Sequence, residues 1–274
     1  MVEQSLLCPA CDQNLITKRN YSFNNKSVVH YQCENCGHTF RTDYLNSNAG
    51  FSQDSYVLEN KNIPRFDRDL KLARTLVSSF IIDPGSTILD FGAGLGGLSL
   101  RLAEISKEFS LDLEIICFEP VIRLAENLRQ KNHRIKVYSE FQDLNKADFI
   151  IAKEVIEHCN EPFSFLQNLK TKMNPNASLL ITCPGHANAL SENPGNLNDY
   201  FIKEHLHFFT KKSMLKLIHR TKAFNCKTLS LIDQYPNQAE IDYTDNQKNF
   251  EILKMISNRH FNEVNHLQML LRLK

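Results

Sequence analysis

Apolar positions along the middle of this chain alternate between two regular patterns. Short, largely β-branched runs at residues 87–91, 113–118, 135–138, 147–153 and 177–184 read as buried strands. Residues 98–109 and 124–130 carry apolar side chains at helical spacing between them. Strand and helix in alternation predict parallel strands joined by crossover helices, an α/β doubly wound sheet. Ahead of the first strand, Phe66, Leu70, Leu72, Ala73, Leu76, Val77 and Phe80 mark one face of a helix. Pro64 precedes it and Asp83-Pro84-Gly85 ends it. Such a helix either covers a ligand cleft or packs on the sheet edge. Beyond the fifth strand, the Asn-, Pro- and Gly-rich stretch 185–198 reads as a loop beside the cleft. Residues 211–220 read as a helix with Thr210 as its cap, and 226–233 as a sixth strand. Residues 267–273 suit a last strand, although a helix also fits their leucines, and the polar stretch 237–249 offers no motif.

The first strand of the alternating region runs into Asp90-Phe91-Gly92-Ala93-Gly94-Leu95-Gly96-Gly97. Glycines at alternate positions let a strand turn into a helix while a nucleotide-like ligand approaches bare backbone. One frame, Gly92-x-Gly94-x-x-Gly97, matches a dinucleotide fingerprint. A second frame, Asp90-x-Gly92-x-Gly94-x-Gly96, fits better, because it accounts for the acid. A carboxylate there would oppose a pyrophosphate held by the turn, whereas it would welcome a ligand bearing cationic groups.

That second frame resembles motif I of the class I S-adenosylmethionine (SAM) methyltransferases, whose ligand has an ammonium, a sulfonium and no phosphate. The resemblance continues in order. Glu119 ends the second strand, at the place of the family's ribose-binding acid. Glu140, or alternatively Asp143, stands where an acid commonly takes the adenine amino group. Glu154-Val155-Ile156-Glu157-His158 resembles the family's E-V-x-E-H segment, which lies under the methyl donor and faces the substrate. Asn174-Pro175-Asn176 occupies the place of the K-P-G-G turn. His205-Leu206-His207-Phe208-Phe209-Thr210 looks like an element common in methyltransferases of small metabolites and sugars. The resemblance implies a seven-stranded, Rossmann-like sheet that binds SAM through Asp90, Gly92, Gly94, Gly96, Glu119, Glu140, Asp143 and Glu154. It also implies methyl transfer to an oxygen or carbon of a small metabolite, a sugar or a biosynthetic intermediate.

Transfer to a poorly acidic acceptor needs a base, and His158 and His207 are the candidates, since neutral imidazole is available near pH 7. His205 and His207 are two residues apart, so an extended segment sends both to one side. Glu154, Glu157 and His158 also resemble E-x-x-E-H segments that, with a later histidine, bind a divalent metal in small-RNA 3′-end methyltransferases, and ubiquinone-pathway O-methyltransferases are similar. This second resemblance implies an additional divalent metal at Glu154, Glu157 and His158.

The first 45 residues follow a different logic. Cys8-Pro9-Ala10-Cys11 and Cys33-Glu34-Asn35-Cys36-Gly37 bracket a strand-forming spacer. Two such knuckles complete a tetrahedral thiolate shell, which predicts a zinc ribbon bound through Cys8, Cys11, Cys33 and Cys36. Four protein thiolates leave no open position, so this zinc is structural. The expected plan is thus a ribbon at 1–45, a connector with its helix at 46–82, and a methyltransferase domain at 83–274.

Charge narrows the partners. A formal net charge of +1 gives no global attraction to nucleic acid or to a membrane surface. Within residues 1–60, Lys18, Arg19, Lys26 and Arg41 face Glu3, Asp12, Glu34, Asp43, Asp54 and Glu59, so the ribbon is unsuited to gripping phosphates. An RNA- or protein-modifying enzyme that docks through the ribbon is the alternative to a small-molecule acceptor. The chain shows no apolar run of membrane-spanning length and no signal-peptide layout, and its cysteines read as reduced thiols, which points to the cytoplasm.

Overall fold

The computed structural model describes residues 6–23, 26–42, 66–78, 81–184, 205–232, 239–244 and 266–274. The alternating segments form β4 (Thr87–Phe91), α2 (Gly97–Glu108), β5 (Glu114–Phe118), α3 (Ile122–Lys131), β6 (Ile135–Tyr138), β7 (Ala147–Lys153), α4 (Pro162–Thr171) and β8 (Met173–Pro184). They are preceded by helix α1 (Phe66–Ser78) and followed by helix α5 (Lys211–Thr221), β10 (Phe224–Ile232), β11 (Ala239–Thr244) and β12 (His266–Leu273). The large sheet has the order β11-β10-β12-β8-β7-β4-β5-β6. Strands β4 to β8 pair in parallel, while β12 lies antiparallel between β8 and β10. The expected seven strands are all present, and β11 adds an eighth at the edge, from the polar stretch that carried no signal.

Residues 266–273 are a strand because they pair on both sides, which settles the choice between helix and strand. The turn expected at Asn174–Asn176 is a bulge within β8, with Asn176 at φ 64° and a register shift against β7.

The central strands β4, β5, β7 and β8 are buried on both faces, and alternate residues feed separate cores. Ile88, Ile151 and Leu180 point to the layer of α1 and α2, with Leu72, Leu76, Leu98 and Leu102. Leu89, Ile150 and Ile181 point to the layer of α4 and α5, with Leu166, Leu169 and Leu217. The ribbon cysteines belong to this second core.

The ribbon itself is the hairpin β1 (Ile16–Phe23) and β2 (Lys26–Cys33) plus the short β3 (Thr39–Phe40). Its fourth strand is β9 (His207–Phe208), with Thr39 opposite Phe208 and Phe40 opposite His207. Packing therefore crosses the boundary expected at residue 45. Thr210 fastens the seam: its hydroxyl donates to the Cys36 carbonyl at 2.8 Å and accepts from the Ser213 N–H at 2.9 Å as the cap of α5. Arg220, on the same helix, donates to the Pro9 carbonyl at 2.7 Å. Thr210→Val keeps the shape but loses both hydroxyl bonds, so it should cost about 1–2 kcal/mol in urea unfolding, with Thr210→Ser near wild type. An unchanged midpoint in the valine variant would show that the seam is not held there.

Candidate active site

Strand order reverses between β4 and β7, so the loops after their carboxyl ends open a crevice instead of packing on each other. The glycine turn follows β4 and the Glu154–His158 segment follows β7, so the two strongest motifs face one cleft. Gly92, Gly94 and Gly96 all have positive φ, at 76°, 56° and 75°. Space also requires glycine at two of them. A Cβ on Gly92 would lie 2.7 Å from Val155 Cγ2, and one on Gly96 would collide with Leu128 Cδ1.

Two carboxylates frame this turn. Glu119, buried at the end of β5, accepts from the Gly94 N–H at 2.7 Å and the Val121 N–H at 2.9 Å. Burial pushes its pKa up, against the pull of those two bonds. Asp90 is buried too and accepts from the Ser99 hydroxyl at 2.5 Å, which in turn accepts from the Cys117 thiol. Burial raises the Asp90 pKa to about 6, while the Ser99 bond and the Lys153 charge oppose the rise. Lys153, the last residue of β7, pairs with Asp69 of α1 at 2.6 Å. A Cβ on Gly97 would collide with the other Asp69 oxygen. Helix α1 packs Leu72, Ala73 and Leu76 in the core, and its Asp69 reaches the glycine turn.

On the opposite wall, Glu154 adopts φ 56°, a region that costs a non-glycine residue free energy. Two bonds to Thr182 hold it there. Its N–H donates to the Thr182 carbonyl at 2.9 Å, and its carboxylate accepts from the Thr182 hydroxyl at 2.8 Å. The chain then makes a single 3-10 turn, Ile156–His158. His158 keeps 19 % of its side chain exposed, and its ring lies 4.9 Å from that of His205. His207 is fully buried, with Nδ1 3.1 Å from His38 Nε2 and Nε2 3.4 Å from the Asn160 carbonyl. Burial lowers its pKa to about 4. Of the two candidate bases, His158 borders the cleft and His207 sits in the ribbon seam. Of the second-metal trio, Glu157 and His158 are neighbours, the Glu154 carboxylate is engaged with Thr182, and His205 stands in the third place. Glu140 and Asp143 are exposed around the 3-10 turn Phe141–Asp143, with Glu140 accepting from Gln142 at 3.2 Å.

The four ribbon thiols converge. Cys8 and Cys36 sulfurs are 3.6 Å apart, Cys11 and Cys33 sulfurs 3.5 Å, and all four lie within 4.8 Å of one another. Zinc–sulfur bonds of about 2.3 Å in a tetrahedron need sulfurs about 3.8 Å apart, so one ion fits. Positive φ at Asp12 and Gly37, each four residues after the first cysteine of its knuckle, closes both turns.

Sequence reasoning missed Asp69, Ser99, Thr182 and the contact between His38 and His207. Each acts on a partner from another element, and only the adjacency of Ser99 to the glycine turn offered a signal.

A family model described as a methyltransferase domain matches residues 65–231. The chain therefore belongs to the methyltransferase-domain family, with the fold of the class I SAM-dependent enzymes. Phosphoethanolamine N-methyltransferase 2 of Caenorhabditis elegans is 22 % identical over 205 residues, covering 71 % of this chain and 45 % of its own length. The chain thus spans about half the length of that curated relative. Among solved structures, the plantazolicin methyltransferase BpumL in complex with SAH superposes with a TM-score of 0.55 at 13 % identity, over 81 % of this chain and 88 % of that one. A methyltransferase in complex with the Trm112 activator of Haloferax volcanii gives 0.53 at 13 % identity, over 81 % and 97 %. Coclaurine N-methyltransferase gives 0.51 at 11 % identity, over 75 % and 72 %.

The raised pKa of Asp90 has a measurable consequence. Its folded value of about 6 lies above the ordinary 3.8, so its contribution to stability is full below about pH 4 and is lost as pH rises through about 6. The ligand-free protein should lose stability over that interval, and Asp90→Asn should flatten that part of the profile. Identical slopes in chemical denaturation of the two proteins would contradict the burial account.

Proposed function

We propose that this protein transfers the methyl group of SAM to an oxygen or carbon of a small metabolite. The observation that carries this reading is the crevice at the strand-order reversal. One wall has Asp90, Glu119 and three positive-φ glycines, and the other has Glu154 to His158. SAM supplies a methyl carbon already activated by its sulfonium. The protein's task is to bind, align and exclude water.

The glycine turn offers backbone room for the donor, and Asp90 is suited to its ammonium. Glu119 can exchange its bonds with Gly94 and Val121 for ribose hydroxyls. Glu140 or Asp143 would take the adenine amino group. Glu154, fixed by Thr182, places a carboxylate at the floor between donor and acceptor. His158 lies where an acceptor proton would leave, directly or through an ion held beside it. His207, low in basicity and bonded to His38, positions the segment and does not accept that proton.

A small acceptor agrees with the relatives, a phosphoethanolamine, a coclaurine and a plantazolicin methyltransferase, and with the acidic balance of the ribbon. The ribbon binds zinc through Cys8, Cys11, Cys33 and Cys36 and serves as structure. The lack of any disulfide among the described residues suits the cytoplasm, and no helix among them is long and apolar enough to cross a membrane.

Incubation of metabolite extracts with methyl-labelled SAM should place the label in the small-molecule fraction. Label found only in RNA or protein would overturn the acceptor class. With the acceptor in hand, His158→Ala should lower kcat by about 100-fold or more and change SAM affinity by less than about threefold. An unchanged kcat would remove His158 from the chemistry.

A further inference from the structure

We infer that Lys153, held in place by Asp69, binds the α-carboxylate at the donor's amino-acid end and so selects a ligand that carries one, an inference that rests on the methyl-transfer reading. The donor brings three charges to the cleft: an ammonium, a sulfonium and a carboxylate. Asp90 is suited to the ammonium and Glu119 to the ribose, which leaves the carboxylate to another group. Asp69 and Glu119 already oppose the charge on Asp90. A further carboxylate entering beside them needs a cation of its own.

The register of the sheet supplies that cation. Asp90 of β4 lies opposite Ile151 of β7. Lys153 follows Ile151 by two residues and ends the strand, so it leaves on the same face. That face is covered by α1 and α2, where Ile88 and Ile151 pack. Asp90 and Lys153 thus stand on one face at the carboxyl ends of adjacent strands, near enough for the ammonium to favour ionisation of Asp90. An acid and an ammonium so placed complement the two opposite charges that an α-amino acid carries on one carbon.

The second observation is how Lys153 is held. Asp69 Oδ1 accepts one of its N–H groups at 2.6 Å and is its one acceptor among the described residues. An ammonium has three such donors, and 26 % of the lysine side chain stays exposed, so it can still grip a ligand. Asp69 is 5 % exposed, and its other oxygen lies against Gly97, where a Cβ would collide with it. A flexible four-carbon stem is thereby fixed before the donor arrives, which lowers the entropy cost of binding. Asp69 is a positioning residue here, acting through Lys153.

The third observation is the neighbour in sequence. Lys153 is followed directly by Glu154, whose left-handed backbone turns the chain out of the strand. Attachment at both Asp90 and Lys153 stops the amino-acid end from rotating. The sulfonium methyl then keeps one direction relative to the acceptor wall that begins at Glu154.

The test uses the full chain with its ribbon loaded with zinc, in calorimetry at about pH 8, where Asp90 is ionised. The ligands are SAM, SAH and decarboxylated SAM. Wild type should bind SAM about tenfold or more tightly than decarboxylated SAM. Lys153→Met keeps the length of the side chain and should weaken both SAM and SAH about tenfold or more, with decarboxylated SAM within about threefold of wild type. That retained binding also certifies the fold, and Lys153→Arg should recover most of the loss. Asp69→Asn should reduce the preference for SAM over decarboxylated SAM about threefold or more, and should leave it unchanged in the Lys153→Met background. A wild type that binds SAM and decarboxylated SAM equally, or a Lys153→Met variant that weakens all three ligands alike, overturns the inference. Failure of wild type to bind either SAM or SAH would instead overturn the methyltransferase reading beneath it.

Discussion

The reversal of strand order between β4 and β7 is the constraint on which the functional geometry depends. Parallel pairing makes each strand end at the same edge of the sheet. Crossovers leaving in opposite directions then keep the loops after β4 and β7 from covering one another. A ligand can lie on backbone there only if the turn has no side chains in the way, hence Gly92, Gly94 and Gly96. It can be gripped only if the polar groups do not fall back into the core, hence the bonds that fix Asp90 to Ser99 and Glu154 to Thr182. The cleft also concentrates acids: Asp69 and Glu119 both oppose the ionisation of Asp90, and the ammonium of Lys153 favours it. A cationic ligand relieves that opposition, and a pyrophosphate would worsen it.

The ribbon is bound to this arrangement at several points. A module of this size has too little apolar surface to fold by itself, and the chain solves this in two ways. Four thiols converge closely enough to share a metal, and Cys8, Cys33 and Cys36 are buried in the core of α4 and α5 with Cys11 packed against it. The fourth strand of the ribbon sheet comes from far along the sequence, so β9 and the residues just before it carry one histidine into the seam and another to the cleft. His207 stacks with His38, their rings 5.3 Å apart, while His205 meets His158. Folding of the ribbon is in this way coupled to the position of His205 beside His158.

What the chain's own pattern reveals, and what it hides, follows from distance along the sequence. The glycine turn, Asp90 and Glu119 are legible because strand, turn and helix follow within a few residues, and their spacing is the geometry. The cysteine knuckles are legible for the same reason. The Asp69–Lys153 pair, 84 residues apart, and the His38–His207 pair, 169 apart, leave no local trace. Each looks like any acid or histidine until the fold brings its partner. The spacing of His205 and His207 predicts a shared side, whereas His205 meets His158 and His207 meets His38. That depended on ribbon strand β3, where Phe40 lies opposite His207. Edge strand β11 escaped notice because a short, half-polar strand resembles a loop until it finds a neighbour.

The central claim is that the crevice after β4 holds a sulfonium nucleoside and not a dinucleotide. Calorimetry at pH 7 with SAH and, separately, with NAD⁺ tests it most directly. The account predicts one SAH per chain with micromolar affinity and no detectable heat with NAD⁺. Binding of NAD⁺ with no binding of SAH would contradict it.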